Sequence, residues 1–173
     1  MLKYLWRLAV VTAFVAISGV ALASEEWVGK KADDFTLKDT KGVELNLSSL
    51  AGKVVWVNFW GLRCGPCIRE LPALEKLNKT YADKGLVIIG INADGVDDGF
   101  ITKSFADRDD LKGAGVTFHL VSDVDFKMVD AFSLMGAPLN VIIDKTGVIR
   151  FYHEGYEAGD EANYEKVIKE LLE

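Results

Sequence analysis

The segment Val54–Pro72, VVWVNFWGLRCGPCIRELP, constrains this chain more than any other, because it writes a strand, a break and a helix around a Cys-x-x-Cys pair. Val54–Trp60 is continuously apolar and rich in β-branched and aromatic residues, the pattern of a parallel strand covered on both faces. Gly61 to Arg63 break it, and Leu71, Leu74 and Leu77 then recur at helical spacing. Cys64 therefore stands at a helix N-terminus. Backbone N–H groups there lack intrahelical partners and the helix dipole is positive, so a thiolate is favoured over a thiol. Arg63, its neighbour, pushes the same way. Cys67 lies one turn on along the same face, placed to attack a mixed disulfide formed at Cys64, which gives one nucleophilic and one resolving cysteine. Pro66 suits the first helical turn, where a missing N–H costs nothing.

A Cys-x-x-Cys pair can also be half of a zinc site or a structural bridge. Zinc would need two more ligands, yet the chain has only two cysteines, and His119 and His153 lie in separate strand-like runs without ligand spacing. Both histidines read as strand residues, so no metal is expected. A structural bridge gains most by closing a long loop, and this one closes almost none. A reactive pair is the better account.

Residues 1–23 read as an export signal: Lys3 and Arg7 form a basic start, Leu8–Val20 an apolar stretch, and Ala21-Leu22-Ala23 a small-x-small cleavage site. Thirteen apolar-run residues fall short of the roughly 20 that span a bilayer, so cleavage after Ala23 is expected, with retention as an anchor the alternative. The remainder, residues 24–173, is one domain of common size. Its charge falls from −6 to −8 without Lys3 and Arg7, and no basic cluster remains, which excludes nucleic acid as an expected partner.

Along that domain the patterns predict a short hairpin near Phe35–Leu47, strands Val54–Trp60 and Leu86–Asn92, and a helix from Cys64 to about Lys84 kinked by Pro72. Asp94–Gly115 carries mixed signals of one or two helices. Thr117–Ser122 reads as a strand and Phe126–Phe132 as a short helix. Leu139–Asp144 and Val148–His153 alternate around a Lys145-Thr146-Gly147 turn, and Tyr164 to Leu172 repeats at helical spacing. This α/β order requires a central mixed sheet flanked by helices, with an N-terminal hairpin.

The segment NFWGLRCGPCIRELP resembles the active site of thioredoxin-fold proteins, and Glu70 with Pro72 resembles the TlpA/ResA-like, periplasmic branch of thiol-disulfide oxidoreductases. ADDFTLKDTKGVELNLSSLAGK and GAPLNVIIDKTGVIRFYHEGY resemble that family's N-terminal hairpin and its proline loop with closing hairpin, so the likeness spans nearly the whole mature chain and is weakest over Asp94–Gly115. The resemblance implies a thioredoxin-like fold and periplasmic location. It implies exchange through Cys64 and Cys67 without a cofactor. It also implies a cis peptide bond before Pro138 that lies against the cysteines, leaving the Ala137 backbone free to pair with an incoming peptide. Glu70, three residues after Cys67 and so on the same helix face, would exchange the Cys67 proton. Asn58 occupies the place where thioredoxins proper carry a buried aspartate, and an amide accepts no proton. Arg63 stands where the family usually has tryptophan, and Ala137 where a polar or β-branched residue is common. Arg63, Ala137, Pro138 and Trp60 make up the expected substrate-contacting set, with Trp60 able to serve as core instead.

The implied partners are disulfide-containing exported proteins, among them oxidised Cys-x-x-Cys-His segments of apocytochrome c, and a membrane thiol-electron carrier. Membrane contact is expected only through a retained leader. Two rival activities remain open. A thiol peroxidase would need a threonine where Gly61 stands, and a Cu(I)-delivery module would need a third soft ligand such as His119, His153 or Met135 near Cys64.

Overall fold

The computed structural model describes residues 26–173. The leader read at residues 1–23 lies outside them. Among the described residues no helix is long and apolar enough to cross a membrane.

The strands are β1 (Thr36–Lys38), β2 (Glu44–Asn46), β3 (Val54–Trp60), β4 (Leu86–Asn92), β5 (His119–Ser122), β6 (Leu139–Ile143) and β7 (Ile149–Glu154). The helices are α1 (Gly65–Tyr81), α2 (Asp98–Asp107), α3 (Asp109–Ala114), α4 (Lys127–Ala131) and α5 (Asp160–Leu172). A five-stranded sheet runs β5-β4-β3-β6-β7, with β3, β4 and β5 parallel and β6 and β7 antiparallel to their neighbours. The expected fold class is thus observed, a central mixed sheet with helices and an N-terminal hairpin.

The strand β3 lies at the centre and is buried along its whole length, as its unbroken apolar sequence requires. Its alternation divides the core. Trp56 and Trp60 point into a layer built by Leu71 and Leu74 of α1, Ile101 of α2, Leu111 of α3 and Tyr164 of α5. Val55, Val57 and Phe59 point into the opposite layer with Leu45, Met128 and Phe132. Full burial of one such leucine or phenylalanine contributes about 1.5–3 kcal/mol, so these two layers fix the height and register of β3. Gly90 of β4 is required by that packing: a Cβ there would sit 2.9 Å from the Phe118 ring.

The hairpin β1-β2 covers the free edge of β5, which would otherwise expose a row of unpaired backbone groups. Asp39 bridges to Val121, and Thr40 N donates to Leu120 O at 2.8 Å. The buried Asp39 carboxylate accepts from Lys41 N, Val43 N and His119 Nδ1 at 2.9, 2.8 and 2.8 Å. Burial raises its pKa, but these donors outweigh that and hold it below the usual carboxylate range. His119 is therefore a strand residue that latches the hairpin. His153 pairs with Asp160 at 3.4 Å.

Candidate active site

The β3 strand ends at Trp60, the chain turns through Gly61–Arg63, and Cys64 caps α1 in extended conformation (φ −85°, ψ 101°). Its Sγ accepts from Cys67 N at 3.2 Å, the bond of an N-cap side chain, with Pro66 in the first turn. The two sulfurs are joined as a disulfide, S–S 2.00 Å. Cys64 is half-buried and Cys67 is 1% exposed, so an incoming group reaches only the first sulfur.

The second wall is the loop before β6. The Ala137–Pro138 peptide bond is cis, and Ala137 O lies 3.4 Å from Cys64 Sγ. A disulfide sulfur carries no proton, so this is a contact; a thiol at Cys64 would donate to that oxygen. Ala137 is exposed and Pro138 buried. Arg63 is exposed at the turn, where a docking chain would meet it.

Trp60 corrects the expected substrate-contacting set. Its side chain is fully buried, edge-on to Phe105 with centroids 5.7 Å apart. Trp60 shares the parity of Trp56 along β3, so it faces the helical layer rather than the mouth of the turn.

Glu70 lies beneath the cysteines, 1% exposed, in a network of neutral groups. Asn58 Nδ2 donates to its Oε2 at 3.0 Å and Asn140 Nδ2 to its Oε1 at 2.7 Å. Asn140 Oδ1 accepts from Asn58 Nδ2 and from Trp56 Nε1, both at 2.9 Å. Asn140 Nδ2 also reaches Tyr164 Oη at 3.3 Å, and the Tyr164 hydroxyl bonds Glu70. Burial raises the Glu70 pKa from 4.5 to about 7, because the bonds from Asn140, Tyr164 and Asn58 only partly offset desolvation and the negative charge of Asp160 adds to it. A group held near neutrality one turn after a buried thiol is suited to move a proton there.

Sequence reasoning singled out Glu70 and Asn58 but missed Asn140, Tyr164 and the role of Trp56. One signal was available. Asn58 and Asn140 are the lone polar residues in two otherwise apolar strands, and the register of β3 and β6 sets them opposite each other.

A central mixed sheet, a Cys-x-x-Cys pair capping the helix after its middle strand, and a cis-proline loop against the outer sulfur together define a thiol-disulfide oxidoreductase of thioredoxin type. Comparison with known proteins agrees. The chain belongs to the AhpC/TSA family, which it matches over residues 28–152. It is 33% identical over 145 residues to the thiol-disulfide oxidoreductase ResA of Halalkalibacterium halodurans, covering 84% of this chain and 75% of that protein. It is 38% identical over 129 residues to the thioredoxin-like protein YneN of Bacillus subtilis, covering 73% and 71%. A crystal structure assigned to a thiol:disulfide interchange protein DsbE from Chlorobium tepidum superposes with TM-score 0.74 at 27% identity, covering 84% of this chain and 98% of that one.

Proposed function

We propose that this enzyme works outside the cytoplasm as a reductant of disulfides in selected exported proteins, with oxidised Cys-x-x-Cys-His segments of apocytochrome c as the substrate class that its ResA-like character suggests. The observation that carries the reading is the buried Glu70, held near neutrality beneath the resolving cysteine. In reduction, the Cys64 thiolate attacks one sulfur of the substrate disulfide and releases the other as a thiolate. Cys67 then gives its proton to the Glu70 carboxylate and attacks Cys64 Sγ. The mixed disulfide breaks, the protein disulfide closes, and the substrate has gained two electrons and takes up two protons as its thiolates are protonated. A membrane thiol carrier returns the electrons. The leader at residues 1–23 and the ResA relative support an extracytoplasmic site of action.

The site favours disulfide exchange over peroxide reduction. At Gly61, where a peroxidase would carry threonine, an added Cβ would come 3.0 Å from Asp94 Oδ1. Equilibration with a glutathione buffer, followed by tryptophan fluorescence, tests the direction. The Gly65-Pro66 dipeptide of strongly reducing thioredoxins, near −270 mV, opposed by the cation of Arg63, leads us to expect a potential on the reducing side of about −180 mV. A value near −120 mV, that of a potent oxidant, would overturn the reductive role.

A further inference from the structure

The stretch Asp94–Gly115 closes on the turn that leads into Cys64. Both peptide groups of Leu62 are held by ionisable side chains from it. Leu62 N donates to Asp94 Oδ2 at 2.6 Å, and Arg108 Nη1 donates to Leu62 O at 2.5 Å. Each clamp residue is itself fixed. Asn92 Nδ2 donates to Asp94 Oδ2 at 3.0 Å, and Asp94 N donates to Asn92 Oδ1 at 3.1 Å. Arg108 Nε and Nη2 fork onto the Asp110 carboxylate at 3.2 and 2.7 Å. The Leu62 side chain is 6% exposed, a third anchor. Two residues further on, Cys64 N donates to Gly61 O at 3.2 Å, so the clamped turn sets where the Cys64 backbone, and hence its sulfur, begins.

We infer that Asp94 and Arg108 are positioning residues for Cys64, and that they set its thiolate fraction in opposite directions. This rests on Cys64 being the attacking thiol. Arg108 puts a cation against the turn and polarises the Leu62 carbonyl, which favours a thiolate; Asp94 puts an anion against the same turn, which disfavours it. The other charged groups around the turn are Asp110, whose carboxylate pairs with Arg108 and offsets part of its charge, Arg63 within the turn, Arg69 on α1 over Gly65, and Glu70 one turn after Cys67, while the loop Ser133–Pro138 brings none.

The experiment is alkylation of Cys64 by iodoacetamide as a function of pH in a Cys67→Ser background, with Arg108→Met and Asp94→Asn added singly. Asn at 94 still offers Leu62 N an oxygen but removes the charge. At pH 6 we expect Arg108→Met to slow alkylation by about threefold or more and Asp94→Asn to speed it by a similar factor. Thermal unfolding of both variants checks that each is folded; Arg108, with a side chain 38% exposed, is not part of the core. Rates that fall together in both variants, or that stay at the parent value, would overturn the inference. Failure of Cys64 to alkylate ahead of Cys67 in the unsubstituted reduced protein would instead overturn the assignment of the nucleophile.

Discussion

Replacing Glu70 with glutamine removes a titration that the structure ties to stability. The carboxyl is buried, its partners among the described residues are neutral, and its pKa rises from 4.5 to about 7 on folding. A raised folded-state value means that the protonated acid folds more favourably than the carboxylate. Its full contribution is present below pH 4.5, declines as the pH climbs towards 7, and is gone above that. At about 1.4 kcal/mol per pH unit, that interval corresponds to about 3 kcal/mol. Glutamine does not ionise, so Glu70→Gln should lack this decline. Its constant cost, an amide nitrogen facing the donors of Asn58 and Asn140, is the same at every pH, and Asn58 Oδ1, a buried acceptor without a partner, is available to it. The assay is urea unfolding of both proteins in the disulfide form, where no thiol titrates, between pH 4 and 8.5. We expect the stability difference to move in favour of the glutamine variant by about 3 kcal/mol between the two ends. Parallel curves would refute the reasoning, because they would mean that Glu70 ionises in the folded protein as it does in water.

Asn140→Ala should leave Glu70 Oε1, Trp56 Nε1 and one Asn58 donor without their partner at once. We expect a loss of about 3 kcal/mol or more in urea unfolding, since each orphaned buried polar group costs roughly 1–3 kcal/mol. Ile149→Ala, at a fully buried position on β7 in the core layer opposite Trp56 and Tyr164, should cost about 2–5 kcal/mol by the same measurement and leave the pH dependence of stability unchanged.

The elements best predicted from the sequence are those whose burial leaves no choice of face. Val54–Trp60 and Leu86–Asn92 are continuous apolar runs, and both strands span those residues. The helix after the cysteines begins where Cys64 can cap it; Pro72 is accommodated inside, on an exposed position, and the last predicted turn, Ala82–Lys84, tightens to a 3-10 helix before Gly85 at φ +108°. Phe126 reads as helix but adopts a left-handed backbone (φ 56°), so α4 starts one residue later. The site was legible where chemistry and spacing coincide on one element, as for Cys64, Cys67 and Glu70. It was not legible where partners converge from distant strands. Tyr164 reads only as one apolar repeat of α5, and nothing in the local sequence of Arg108 says that its guanidinium meets Leu62. Trp60 was open to two readings because nearness to the turn says nothing about side-chain direction.

In the proposed cycle Cys64 attacks and Cys67, assisted by Glu70, resolves. Trapping tests it most directly. Reduced Cys67→Ser and Cys64→Ser proteins would each be mixed with a disulfide-bonded peptide, quenched with acid, and the adducts read by mass spectrometry. Cys67→Ser should accumulate a mixed disulfide at Cys64, because the attacking sulfur is accessible and its resolving partner is gone, while Cys64→Ser, whose remaining cysteine is 1% exposed, should accumulate none. Adducts that form on Cys67 in Cys64→Ser, and not on Cys64 in Cys67→Ser, would contradict it.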